Sequence, residues 1–162
     1  MLFRSAGKLA ILFLFLVSVT FLPAMMLLLT QAIFAGSLTF VRNNLYLLPA
    51  ITLFALAQVL LASTTMLALS ALSKSSRFVA VMYAGLFFFT TALFNALRGI
   101  TGRTTFAWLS PTAALEQIGD VIFRLPPRYQ LSPAIAGLTV LVLIGGSMWI
   151  LLRRVRGVEI VT

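Results

Sequence analysis

The sequence predicts an all-α integral membrane bundle of four transmembrane helices, with an amphipathic or re-entrant outer helix between the third and fourth. Three observations predict it. The 162 residues are 61% hydrophobic, with a mean hydropathy of +1.10, against roughly 45–50% apolar residues in a soluble domain. Only 9% are charged, and a water-soluble fold of this length could not hide so much apolar surface. Those charges leave uncharged runs at residues 9–41, 43–73, 78–97 and 129–152, of 33, 31, 20 and 24 residues. Each is long enough to cross about 30 Å of hydrocarbon, which takes roughly 20 apolar residues. The runs also do not alternate: residues 9–16 and 86–89 are continuously apolar, whereas barrel strands alternate over about 10 residues.

We read residues 1–162 as one transmembrane domain. The first run is too long for one perpendicular helix, since 33 residues at about 1.5 Å each extend roughly 50 Å. Gly36, Ser37 and Thr39 make a natural exit, so the first helix is predicted near 8–34, with Pro23 as a site for a kink. A short connection through Arg42, Asn43 and Asn44 leads to a second helix near 47–72, with Pro49 in its first turn, where a missing N–H costs little. The third is predicted near 77–97 and the fourth near 131–153, where Gly145, Gly146 and Ser147 could loosen it locally.

Between the third and fourth helices lies the most polar segment. "LSPTAALEQIGDVIFRLPP" reads as a helix near 111–124, with Ser110 as N-cap, Pro111 at the first position, and Pro126 and Pro127 as the stop. Leu115, Ile118 and Ile122 share one face. Glu116, Asp120 and Arg124 share another, read as solvated, with an Asp120–Arg124 pair at i, i+4.

Lys/Arg counts in short loops set orientation. Arg4, Lys8, Lys74, Arg77, Arg153, Arg154 and Arg156 fall on one side with only Glu159; Arg42, Arg98, Arg103, Arg124 and Arg128 fall on the other. Both termini, and the turn "LSKSSRF", are therefore expected in the cytoplasm of a multi-pass cell-membrane protein. The turn's cations hold it inside while its serines solvate the backbone. Trp149 fits an inner-interface anchor, and Tyr46 and Tyr129 lie near the expected outer helix ends. The N-terminal cations and apolar run resemble a secretory signal, but the run far exceeds an h-region of about 7–15 residues.

Several chemistries are disfavoured. With no cysteine and no histidine, disulfides, thiolate metal sites and histidine-based catalysis are absent. The net charge of +9 is spread over helix ends, which suits membrane orientation better than nucleic acid. No charged residue lies deep in a span, which disfavours intrinsic ion-coupled transport. Glu116 and Asp120 have no nearby nucleophile or histidine, so acid–base catalysis is not supported. No cofactor is expected in this chain, and no phosphate-binding GxxxxGK[ST] motif occurs; Ala6-Gly7-Lys8-Leu9 supplies only a fragment of one.

Polar residues within the spans carry two readings. Gln58, Ala62 and Thr65 share a face of the second helix, Thr64, Ala68 and Ala71 form a second small-residue stripe, and Thr91 and Asn95 share a face of the third. They serve either close helix packing with interhelical hydrogen bonds or the lining of a substrate path.

A basic turn after "LALSALSKSSRF", an outer segment opening on "WLSPTAALEQI" and a final helix ending in "LLRRVRGVEIV" together resemble the carboxyl-terminal portion of ABC-2-type transporter permeases. The resemblance implies that the four helices correspond to the third to sixth of a six-helix permease, and that the chain is a truncated frame or a fragment. It further implies an ATP-driven exporter in which a separate nucleotide-binding ATPase subunit drives two permease units. Lys74, Ser75, Ser76 and Arg77 would then form a coupling turn toward that ATPase. The alternative is a small membrane scaffold or assembly protein that transports nothing.

Overall fold

The computed structural model describes residues 2–34, 42–73 and 75–159, and the side chains among them except those of residues 2–6, 8–9 and 154–159. It is all-helical. Four helices are long and apolar enough to span a membrane: α1 (Leu2–Phe34), α2 (Leu47–Leu72), α3 (Ser76–Thr101) and α5 (Pro133–Glu159). A 3-10 turn (Thr105–Leu109) and α4 (Pro111–Ile122) separate α3 from α5.

Local chemistry sets the boundaries. Pro23 sits inside α1 without interrupting it. α3 runs past Arg98, beyond the predicted end at 97, because a charge at a helix end is solvated rather than disruptive. Gly102 stops it, at φ +66°, with its N–H donating to the Arg98 carbonyl at 2.9 Å. Ser110 caps α4 as expected, its Oγ accepting from the Ala113 N–H with Pro111 in the first turn. α4 ends at Ile122, before the two prolines, because Arg124 adopts φ +56° and closes the last turn. The Leu125 N–H donates to the Asp120 carbonyl at 2.7 Å and the Arg124 N–H to that of Val121 at 3.2 Å, the paired bonds of a Schellman motif in which glycine is the usual residue. α5 starts at Pro133 rather than 131, the first position proline favours. It continues through Gly145, Gly146 and Ser147 without a break.

α2 is the centre of the bundle and packs against α1, α3, α4 and α5. Its buried stripe of Ser63, Thr64, Thr65, Ala68 and Leu69 is built of small residues, which let helix backbones approach closely in a membrane. The hydroxyls of that stripe do not cross between helices. Thr64 and Thr65 donate at 2.6 Å to the Leu60 and Leu61 carbonyls of their own helix, and Ser18, Thr20, Thr30, Thr52, Thr90 and Thr139 do likewise one turn back. Of the positions expected to bond between helices, Thr64 and Thr65 therefore bond within α2 instead.

The main hydrophobic cluster lies elsewhere, around α4. Leu61, Phe94, Ala107, Ala113, Ala114, Leu115, Leu131, Ala136 and Val140 form it, drawn from α2, α3, α5 and the segment between α3 and α5.

Candidate functional site

The segment between α3 and α5 is re-entrant. After α3 ends at Thr101 the chain doubles back, and Ser110 Oγ meets Thr91 Oγ1 at 3.1 Å. Thr91 lies ten residues before the end of α3, so the chain has descended about 15 Å along that helix. α4 then climbs back antiparallel to α2. Thr112 shares a cavity with Gln58, Gly119 faces Phe54, and the Arg124 guanidinium lies over the Tyr46 ring at 4.8 Å. Tyr46 and Arg124 lie just beyond the ends of the two helices, so the partners run in opposite chain directions over the length of α4.

Gly119 makes the α2–α4 approach possible. A Cβ at this position would lie 2.9 Å from Phe54 Cε2, closer than packed carbons approach. The Phe54 ring is in turn held edge-on to Phe123, with centroids 5.6 Å apart.

The polar face of α4 points at the next loop rather than at solvent. Glu116, Gln117 and Asp120 fall within about 100° of one another around the helix. Asp120, only 2% exposed, does not pair with Arg124. Its Oδ1 meets Arg128 Nε at 3.2 Å and its Oδ2 accepts from the Arg128 backbone N–H at 3.1 Å. Buried Gln117 accepts from the Tyr129 N–H at 3.3 Å and donates to the Leu131 carbonyl at 3.1 Å. Thr104 Oγ1 accepts from the Gln130 N–H at 2.8 Å. Three consecutive backbone donors, 128 to 130, are thus satisfied by three side chains. The prolines at 126 and 127 keep this stretch out of a helix, so its N–H groups find their acceptors in side chains instead.

Tyr129 completes the clasp. Its hydroxyl donates to Glu116 Oε2 at 2.5 Å, and its ring stands edge-on to Phe94 at 5.6 Å. Burial, then the hydrogen bond to Glu116 and that carboxylate's charge, push the Tyr129 phenol up to about 12.

These contacts correct the reading of Glu116, Asp120 and Arg124 as one solvated face with an internal ion pair. Helical spacing sees only neighbours on the same helix, whereas the loop brings Arg128 to Asp120. The αL turn meanwhile sends Arg124 away to Tyr46. Gln117 and Thr104 escaped the sequence reading altogether. A signal was present: three acceptors on one face of a helix, followed by a proline-terminated loop whose N–H groups have no helix to join.

The other predicted positions separate. Gln58 is exposed on α2 and lines a cavity of about 220 Å³ with Tyr83 of α3 and Thr112 of α4. Thr65 is buried and bonded within its own helix, Thr91 reaches Ser110, and Asn95 is exposed. At the far end of the bundle, Ser73 Oγ accepts from the Ser75 N–H at 3.2 Å, the backbone support expected of the serines in "LSKSSRF". Ser76 begins α3, Arg77 is exposed, and Lys74 lies outside the described residues. The side chains of Arg4, Lys8, Arg154, Arg156 and Glu159 also lie outside the description. Arg153 stacks on Trp149 at 5.1 Å.

Among the described residues no group of three or more carboxylate, histidine or cysteine side chains could hold a metal. No protein-family model matches the chain, and neither a curated protein nor a solved structure matches it.

Proposed function

We propose that the chain is a permease component of an ATP-driven exporter, with ATP bound and hydrolysed by a separate subunit. The observation that carries this reading is the re-entrant pair formed by the 3-10 turn and α4. It lies between the last two of the four spans, where the resemblance to ABC-2-type permeases implies an outer amphipathic segment. The 3-10 turn and α4 are anchored to α2, α3 and α5, so displacement of one of these helices would move the pair with it. Two permease units would form the path, and ATP binding would shift their inward-facing and outward-facing populations.

In this reading the chain is not an enzyme, needs no cofactor, and sits in the cell membrane with both termini and the Ser73–Arg77 turn in the cytoplasm. Lys74 and Arg77 would meet the ATPase. Affinity capture of the tagged chain from its native membrane in mild detergent tests the reading. Co-purification of a Walker-motif ATPase is the expected result. Capture without one, from membranes shown to contain a candidate ATPase, would sink it in favour of a non-transporting scaffold. Because the chain has no cysteine, single introduced cysteines at Ser75 and Arg103 report orientation without background labelling. Labelling of position 103 from outside and of 75 only after permeabilisation is expected.

A further inference from the structure

The cavity between α2, α3 and α4 has a composition that neither packing nor the clasp accounts for. Three hydrogen-bonding side chains, Gln58, Tyr83 and Thr112, line it among apolar Ala62, Phe87 and Leu115. Gln58 stands near the midpoint of α2, the level at which a membrane offers no water to an exposed amide. Most span hydroxyls at comparable depth are spent: Thr64, Thr65 and Thr90 on their own helix carbonyls and Thr91 on Ser110. The side chains of Gln58, Tyr83 and Thr112, by contrast, make no hydrogen bond to any described residue. One amide and two hydroxyls without described partners thus belong to residues that line one half-open space.

The space itself selects among occupants. About 220 Å³ is room for a group the size of roughly seven waters, at about 30 Å³ each. No charged residue is among the described residues that line it, so an ionised group would enter without a counter-charge, at a desolvation cost that neutral donors and acceptors do not incur. The Tyr83 and Phe87 rings, 4.7 Å apart, supply an apolar wall for the first carbons of a chain.

We propose that this cavity binds an uncharged amphiphile, its hydroxyl or amide head hydrogen-bonded to Gln58, Tyr83 and Thr112 and its hydrocarbon chain lying in the bilayer. The proposal goes beyond the permease reading and does not rest on an ATPase, so it is tested on the purified chain alone. Radiolabelled monooleoylglycerol is the probe, with oleoyl lysophosphatidic acid and oleylamine as anionic and cationic competitors carrying the same tail length. Saturable binding of the neutral probe is expected, with both charged competitors displacing it poorly. Its dissociation constant should rise at least about tenfold in the Gln58→Leu/Tyr83→Phe double variant, the effect of losing two ordinary hydrogen bonds. Thr112→Val should produce a smaller rise. These substitutions remove unpaired polar groups, so an unchanged unfolding midpoint is expected to accompany them. Absence of saturable binding, equal displacement by the charged competitors, or equal affinity in the double variant would overturn the proposal. So would loss of chemically crosslinked dimers in the double variant, which would assign the cavity to contact between copies of the chain.

Discussion

α1 and α4 stand at opposite ends of the molecule's burial scale, in the reverse order of their hydropathy. The span Ala10–Phe34 is the most apolar of the four, and none of its most hydrophobic window is buried. α4 carries a glutamate, a glutamine and an aspartate in 12 residues, and seven of those residues are buried, Gln117 and Asp120 among them. In water this order would be perverse. In a bilayer it follows from the solvent: a leucine loses nothing by facing lipid tails as apolar as itself, while a carboxylate or amide must find partners inside the protein. Between these two helices, then, hydropathy reports fitness for lipid, while the buried amide and carboxylate of α4 lie where partners are found.

The largest expected effect comes from breaking the clasp. Gln117→Leu keeps the volume but leaves the Tyr129 N–H and the Leu131 carbonyl without partners. At about 1–3 kcal/mol for each stranded group, the loss should be about 2–6 kcal/mol, read as a lowered midpoint of unfolding in mixed dodecyl sulfate micelles. An unchanged midpoint would mean that α4 is not held by its polar face.

Filling the close approach of α4 to α2 should cost somewhat less. Gly119→Ala forces the Phe54 ring to move and disturbs its edge contact with Phe123, an overpacking worth about 1–3 kcal/mol by the same measurement. Tolerance of alanine would show that the two helices do not meet there.

Titration of Tyr129 sharpens the comparison further. Its phenol is raised from 10.0 to about 12, so the folded state favours the neutral form. The contribution is fully present below pH 10 and fades as pH rises toward 12. The stability advantage of the wild type over Tyr129→Phe should therefore hold at pH 8 and shrink between pH 10 and 12, by equilibrium unfolding at each pH. An advantage that grew across that interval would contradict the contact with Glu116.

The smallest effect belongs to α1. Leu27 is 71% exposed, and Leu27→Ala should change stability by less than about 0.5 kcal/mol, against several times that in the clasp. A loss above 2 kcal/mol would place an unrecognised packing surface on α1.

Much of the fold was legible because the bilayer imposes coarse rules. Span number, the boundaries of α2, the Ser110 cap and the proline-led start of α4 all follow from length, charge spacing and the few residues that start or stop helices. What stayed illegible depends on non-local closure. Asp120 was paired with Arg124 because both lie on one helix. Its actual partner is eight residues away, across a turn set by an αL arginine that no spacing rule predicts. The depth of α4 was hidden for a related reason, since acids on a helix face look solvated until the loop that covers them is known. In the cavity, Gln58 was singled out from its polarity alone, but its neighbours Tyr83 and Thr112 come from two other helices and share no sequence pattern with it.

The shortness of α4 has a consequence for biogenesis. Twelve residues rise about 18 Å, well short of the roughly 30 Å of a span, so α4 cannot be threaded into the membrane as an independent helix. Its buried amide and carboxylate have no favourable surroundings until α2, α3 and α5 already stand around them. The polar face of α4 is thus expected to settle only after the spans around it are in place. Gln117→Leu should accordingly enter the membrane with its spans protected from protease as in the wild type, its deficit confined to the docking of α4.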